Sequence, residues 1–115
     1  MSKKTEVLTL LGLLLNVAVA QACGACTSKG LPSILVKVTD SSGASLDGAV
    51  VRYAVNGGDP QECGRAPGHG QFHCGSEEAG EFDVTATWRE MSKSDRRRVG
   101  ADECHVVPEL IQFTF

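Results

Sequence analysis

The chain has 115 residues and a net charge of −3, from 11 Lys and Arg against 14 Asp and Glu, so it is one domain's worth of polypeptide with an acidic balance. Its 42% hydrophobic content excludes a purely polar, disordered chain, and the charge argues against nucleic acid, which selects a basic surface. Five cysteines is an odd number, and in so short a chain that bears on both compartment and processing.

Residues 1–22 read as an export signal. Lys3 and Lys4 give a positive start, residues 7–15 form an apolar run broken only by Thr9 and Gly12, and the small residues Ala18, Ala20 and Ala22 follow. A retained membrane helix needs about 20 apolar residues; residues 7–20 are fewer, contain Asn16 and lack a basic stop-transfer flank. Ala18-Val19-Ala20 suits cleavage before Gln21. Ala20-Gln21-Ala22-Cys23 resembles the lipobox of bacterial lipoproteins, in which the Cys becomes the acylated first residue, although Ala20 and Gln21 depart from the usual pattern. With Cys23 acylated, four cysteines remain and can pair completely. That arithmetic favours a membrane-tethered lipoprotein over a secreted or periplasmic protein. Without Lys3, Lys4 and Glu6, nine basic and thirteen acidic residues remain, a net −4.

Residues 23–33 are small and polar and read as a linker or tether. The domain proper is expected over residues 34–115. Ile34, Val36 and Val38 alternate with Leu35, Lys37 and Thr39 as a half-buried strand. Asp40-Ser41-Ser42-Gly43 predicts a turn, Leu46-Asp47-Gly48 a second corner, and residues 49–56 another strand ended by Gly57-Gly58-Asp59-Pro60. Residues 61–65 and 71–77 are the arms of a hairpin around Pro67-Gly68-His69-Gly70, with Cys63 opposite Cys74 in any symmetric loop. A four-residue loop, 67–70, places the cysteines at a non-hydrogen-bonded site where side chains approach closely, the better geometry for a disulfide.

Phe82, Val84, Ala86 and Trp88 form the core face of the next strand, with Asp83, Thr85 and Thr87 on the other. Residues 89–98 are strongly polar without apolar period and read as a loop or exposed extension. A weaker strand is expected around Val99 and residues 104–107, and Ile111, Phe113 and Phe115 close the chain on one face. Seven short strands with intervening turns predict an all-β, seven-stranded Greek-key β-sandwich of immunoglobulin or transthyretin type, following the N-terminal signal helix.

Val38-x-Asp40-x-x-Gly43-x-x-Leu46-x-Gly48-Ala49-x-Val51, with Gly70-x-Phe72 and Gly80-x-Phe82-x-Val84-x-Ala86, resembles bacterial carboxypeptidase regulatory-like domains. The resemblance covers residues 34–88 well and the rest loosely. It implies a transthyretin-like sandwich and a non-catalytic accessory role on an exported protein. Hydroxyisourate hydrolases share that fold but end in Tyr-Arg-Gly-Ser, whereas this chain ends Gln112-Phe113-Thr114-Phe115. An isopeptide crosslink of pilin type needs an Asn on a late strand, and Asn56 lies mid-domain.

Several groupings of residues carry possible chemistry. Cys63 and Cys74 read as a disulfide worth about 3 kcal/mol in the chain-entropy estimate. Cys26 and Cys104 are the remaining pair if Cys23 is acylated, and Cys23–Cys26 as a redox Cys-x-x-Cys is the rival. His69, His73 and His105 read as solvated or hydrogen-bonded, with no metal or other cofactor expected. Glu77, Glu78, Glu81 and Asp83 read as a solvated acidic face. Arg96, Arg97 and Arg98 form a basic run that could pair with that face, touch anionic headgroups or bind a partner. Trp88 reads as core. The chain is expected to be a non-catalytic structural or binding protein of the cell envelope, at the outer membrane if lipidated. An envelope protein or glycan would bind on a sheet edge or on residues 89–98. The enzyme alternative, a small hydrolase, would need converging His and acidic groups such as His73 with Glu81.

Overall fold

The computed structural model describes residues 26–115; the leader reading for residues 1–22 and the acylation reading for Cys23 fall outside the described residues. Eight strands follow in chain order: β1 Pro32–Thr39, β2 Val50–Val55, β3 Gln61–Glu62, β4 Gly64–Arg65, β5 Gln71–Ser76, β6 Gly80–Trp88, β7 Met91–Val99 and β8 Glu109–Thr114. They form two four-stranded sheets, ordered β4-β5-β1-β8 and β3-β2-β6-β7. All pairings are antiparallel except β1 with β8, which run parallel from Ile34↔Glu109 to Thr39↔Thr114.

Alternation sets the core. Ile34, Val36 and Val38 of β1, Val51 and Tyr53 of β2, Phe72 and Cys74 of β5, Phe82, Val84 and Ala86 of β6, and Ile111 and Phe113 of β8 are all buried between the sheets. Side chains two apart on a pleated strand share a face, so each strand contributes one apolar row to one interior. Phe82 is fully buried and stacks on Tyr53 with ring centroids 5.6 Å apart, an offset arrangement that adds to simple burial.

The turns follow the side-chain chemistry expected of them. The Asp40 carboxylate accepts from the amides of Ser42 and Ala44 at 2.9 and 3.0 Å, and Gly43 takes φ 89°. Asn56 and Gly57 both take positive φ, 52° and 73°, and turn the chain after β2.

β3 and β4 flank one residue, Cys63, at which the chain passes from one sheet to the other. β3 pairs with β2, β4 pairs with β5, and the Cys63 amide donates to the Val51 carbonyl at 2.8 Å.

Three expectations are corrected. Residues 89–98 are not a loop: Met91–Val99 is β7, one of the two longest strands, paired with β6 from Trp88↔Met91 to Gly80↔Val99. Residues 104–107 are not a strand; among the described residues that segment makes only the isolated bridge Ala101↔Val106. The domain begins before Ile34, because β1 starts at Pro32 and the residues from Cys26 onward are fastened to it, as described below.

Candidate functional site

Two places gather the polar residues singled out by sequence: the outer face and edge of β7, and a junction at one end of the sandwich.

The β6–β7 hairpin turns on Arg89 and Glu90, with Arg89 at φ 56°. On its outer face the two strands pair rung by rung. Arg98 donates to Glu81 at 3.3 Å and Arg96 to Asp83 at 2.8 Å, while the hydroxyls of Ser94 and Ser92 meet those of Thr85 and Thr87 at 2.8 and 3.0 Å. The Asp83 carboxylate raises the Arg96 guanidinium above its already high value, first through the hydrogen bond and then through charge.

The inner face of β7 presents Lys93, Asp95 and Arg97 where a core strand would present apolar groups. Arg97 bonds Asp95 at 2.9 Å, and Lys93 donates to the Thr114 carbonyl and lies 5.5 Å from the Phe115 ring. β7 is a sheet edge, paired on one side only among the described residues. Inward-pointing charge is a recognised guard against unspecific pairing on such an edge.

The junction is organised by Glu77, which takes φ 53° just after β5. One carboxylate oxygen accepts from the Leu31 amide at 2.8 Å and from His105 Nδ1 at 2.6 Å, and the other accepts from the Val106 amide at 3.1 Å. The Glu77 amide returns a bond to the Leu31 carbonyl at 3.0 Å. The Leu31 amide, followed by His105 and the Val106 amide, holds the Glu77 carboxyl below its ordinary value. Asp102 shapes the facing loop by accepting from the amides of Cys104 and His105, both at 2.8 Å, and its own value is lowered by them. Thr27 Oγ1 lies 3.2 Å from His105 Nε2. Cys26 and Cys104 form a disulfide with Cα atoms 5.2 Å apart. The polar stretch read as a tether is therefore stitched to the loop after β7, by the Cys26–Cys104 pairing expected from the cysteine count, and to the turn after β5 through Glu77.

The second disulfide joins Cys63 and Cys74, with Cα atoms 4.6 Å apart. Gly64↔His73, Arg65↔Phe72 and the Ala66 amide on the Gln71 carbonyl, at 2.9 Å, leave residues 67–70 as the four-residue loop. At its tip Asp47 accepts from the Gly70 amide and from His69 Nδ1, the latter at 2.9 Å, and both bonds lower the Asp47 carboxyl, His69 more strongly.

The structure brings together some predicted partners and separates others. Arg96 and Arg98 meet Asp83 and Glu81 of the acidic cluster, whereas Arg97 meets Asp95. His73 faces outward from one sheet between the buried Phe72 and Cys74, and Glu81 faces outward from the other beside buried Phe82, so the core lies between them. That removes His73 with Glu81 as an acid–base pair. Trp88 packs partly buried against the core, with the Gly48 backbone beneath its ring. Sequence reasoning missed the Glu77–His105 contact, since nothing in a one-dimensional pattern aligns residue 77 with residue 105. No protein-family model, curated protein or solved structure matches the chain.

Proposed function

We propose that this is an exported, non-catalytic cell-envelope protein, anchored through acylated Cys23, whose β7 edge binds an extended segment of an envelope partner. The two disulfides belong to an oxidising compartment, which supports export. The two-sheet architecture and the turns at Gly43 and Gly57 support the reading as a transthyretin-like Greek key of carboxypeptidase regulatory-like type, with β3 and β4 counted as one of seven strands. Secretion without lipid, with a protein or glycan ligand, is the alternative within the same reading.

The observation that carries the binding role is the open edge of β7. Sequence reasoning offered either a sheet edge or residues 89–98 as the binding place; these are one element. In a hairpin with a two-residue turn the closing pair, Trp88↔Met91, exchanges hydrogen bonds, and so does every second pair beyond it. The backbone of Ser92, Ser94, Arg96 and Arg98 then points away from β6. The Arg96 amide, bonded at 2.8 Å to the Asp95 side chain, agrees with that parity. Strand addition would use these groups, with the arginines choosing the partner. Titrating isotope-labelled protein with solubilised envelope proteins should shift the amides of Ser92, Ser94 and Arg98, and Ser94→Pro should abolish the response. Shifts confined to other elements, or unchanged in Ser94→Pro, reject the β7 site. Intact mass of the membrane-extracted protein decides the lipid on Cys23.

A second reading rests on one observation: Thr27, His105 and Glu77 stand in the order hydroxyl, imidazole, carboxylate. That order activates a nucleophile for acyl transfer. Here Thr27 would attack an ester carbonyl while His105 moves the hydroxyl proton to the leaving alcohol, and water, deprotonated by His105, would then cleave the Thr27 ester, releasing the acid and returning a proton to the threonine oxygen. A fluorophosphonate that labels Thr27 in the wild type, but not in His105→Ala, supports a small hydrolase; absence of label on folded protein rejects it.

A further inference from the structure

We infer that the Cys26–Cys104 bridge and the Glu77 clasp turn the tether into a short leash, holding the 100–108 end of the domain directly against a lipid surface. This rests on the proposed acylation of Cys23.

Reach carries the argument. An extended chain spans at most about 3.5 Å per residue. If the stretch from Cys23 to Pro32 were free, the domain could stand roughly 30 Å from its anchor. Because Cys26 is bonded to Cys104, only Gly24 and Ala25 separate the anchor from a point fixed on the domain, a reach of about 10 Å. Glu77 adds a second, non-covalent fastening through both main-chain groups of Leu31, and Thr27 adds contact with His105. The parallel β1–β8 pairing puts the starts of both strands at this same end, beside the end of β5. The leash therefore fixes which end of the sandwich meets the bilayer, as well as how near it lies. Val107 and Leu110 are 49% and 66% exposed near that end and offer apolar contact. The Arg89–Glu90 turn lies at the opposite end of β6 and β7 and so points away from the surface, with the Met91 end of the β7 edge farther from it than the Arg98 end.

The test is neutron reflectometry of the full-length, leader-processed protein in a supported phosphatidylcholine bilayer, after intact mass has established the species present. For the acylated wild type, a solvent gap between headgroups and domain of no more than about 10 Å is expected. In Cys26→Ser/Cys104→Ser combined with Glu77→Ala, the gap should widen toward the roughly 15 Å root-mean-square span of a free eight-residue tether, with a broader orientation distribution. If the triple variant does not fold, the wild-type gap still decides, and Glu77→Gln in the oxidised protein should leave it unchanged. An acylated wild type standing off by more than the leash allows overturns this inference while leaving the anchor intact. A mass showing no lipid, with no protein retained on the bilayer, overturns the inference and the anchored reading together.

Discussion

Cys63 donates its amide to the carbonyl of Val51 at 2.8 Å, in the sheet opposite the one that holds its disulfide partner Cys74. The residue at which the chain changes layers is thus fixed by a backbone bond on one side and a covalent bond on the other. Replacing both cysteines by serine should lower stability by about 3 kcal/mol, the entropy of a short closed loop. Urea unfolding of the double variant against the oxidised wild type measures it, and a loss under 1 kcal/mol would show that the layer crossing is held by packing alone.

Gly70 has φ 65°, and a Cβ there would lie 2.6 Å from the Val38 carbonyl oxygen, with the hairpin tip resting on β1. The backbone term alone is roughly 1–2 kcal/mol, and the clash adds to it, so Gly70→Ala should lose at least 2 kcal/mol. Gly64 is the control. It has nothing within 4 Å of the same construction and ordinary φ, and Gly64→Ala should stay within about 0.5 kcal/mol of wild type. Thermal melts of the pair separate conformational strain from generic glycine effects.

Proline placed along β7 reads out which backbone groups face outward. Ser94→Pro removes an outward donor and should be tolerated, whereas Asp95→Pro removes a bond to β6 and should cost about 3 kcal/mol or more. Equal losses at both positions would contradict the assigned parity.

Acid should destabilise the domain in a defined window. Glu77 lies below its ordinary 4.5, and Asp40, Asp47 and Asp102 lie below their ordinary 3.8. A carboxyl lowered on folding binds fewer protons in the native state, so its stabilisation is complete above the unfolded value and is lost as pH falls through the folded one. Stability should therefore be level above about pH 5 and fall progressively below 4.5. Glu77→Gln should start lower at neutral pH and fall less steeply in acid, as measured by urea midpoints from pH 6 to pH 3. A Glu77→Gln curve parallel to wild type would remove Glu77 from the account.

Much of this fold was legible because burial alternates. Ile34-Val36-Val38, Phe82-Val84-Ala86 and Ile111-Phe113 each announce one inward row, and the hairpin register was fixed once Cys63 was set opposite Cys74. β7 was not legible. Its inward row, Lys93-Asp95-Arg97, lies at an open sheet edge where charge can reach water, so the apolar period that marks a strand is missing there. Its turn, Arg89-Glu90, also lacks the Asn or Gly that signals a tight hairpin. The information lay across the strands instead: Glu81 with Arg98, Asp83 with Arg96, Thr85 with Ser94 and Thr87 with Ser92 are complementary pairs in a single register. The Glu77 junction was hidden for a related reason. It joins residues 27, 31, 77, 105 and 106 through main-chain amides and a histidine, and amides carry no residue-type signature.

Ile34 lies beside Glu109 and Thr39 beside Thr114, so among the described residues the first strand takes the last one as its flank. For a polypeptide that emerges amino end first, the sheet holding β1 stays unfinished until residues 109–114 have arrived. A nascent chain stalled short of them carries Val36 and Val38 along an unprotected border. Contacts this distant along the chain are slow to form, so the joining of residues 32–39 to residues 109–114 is expected late in folding.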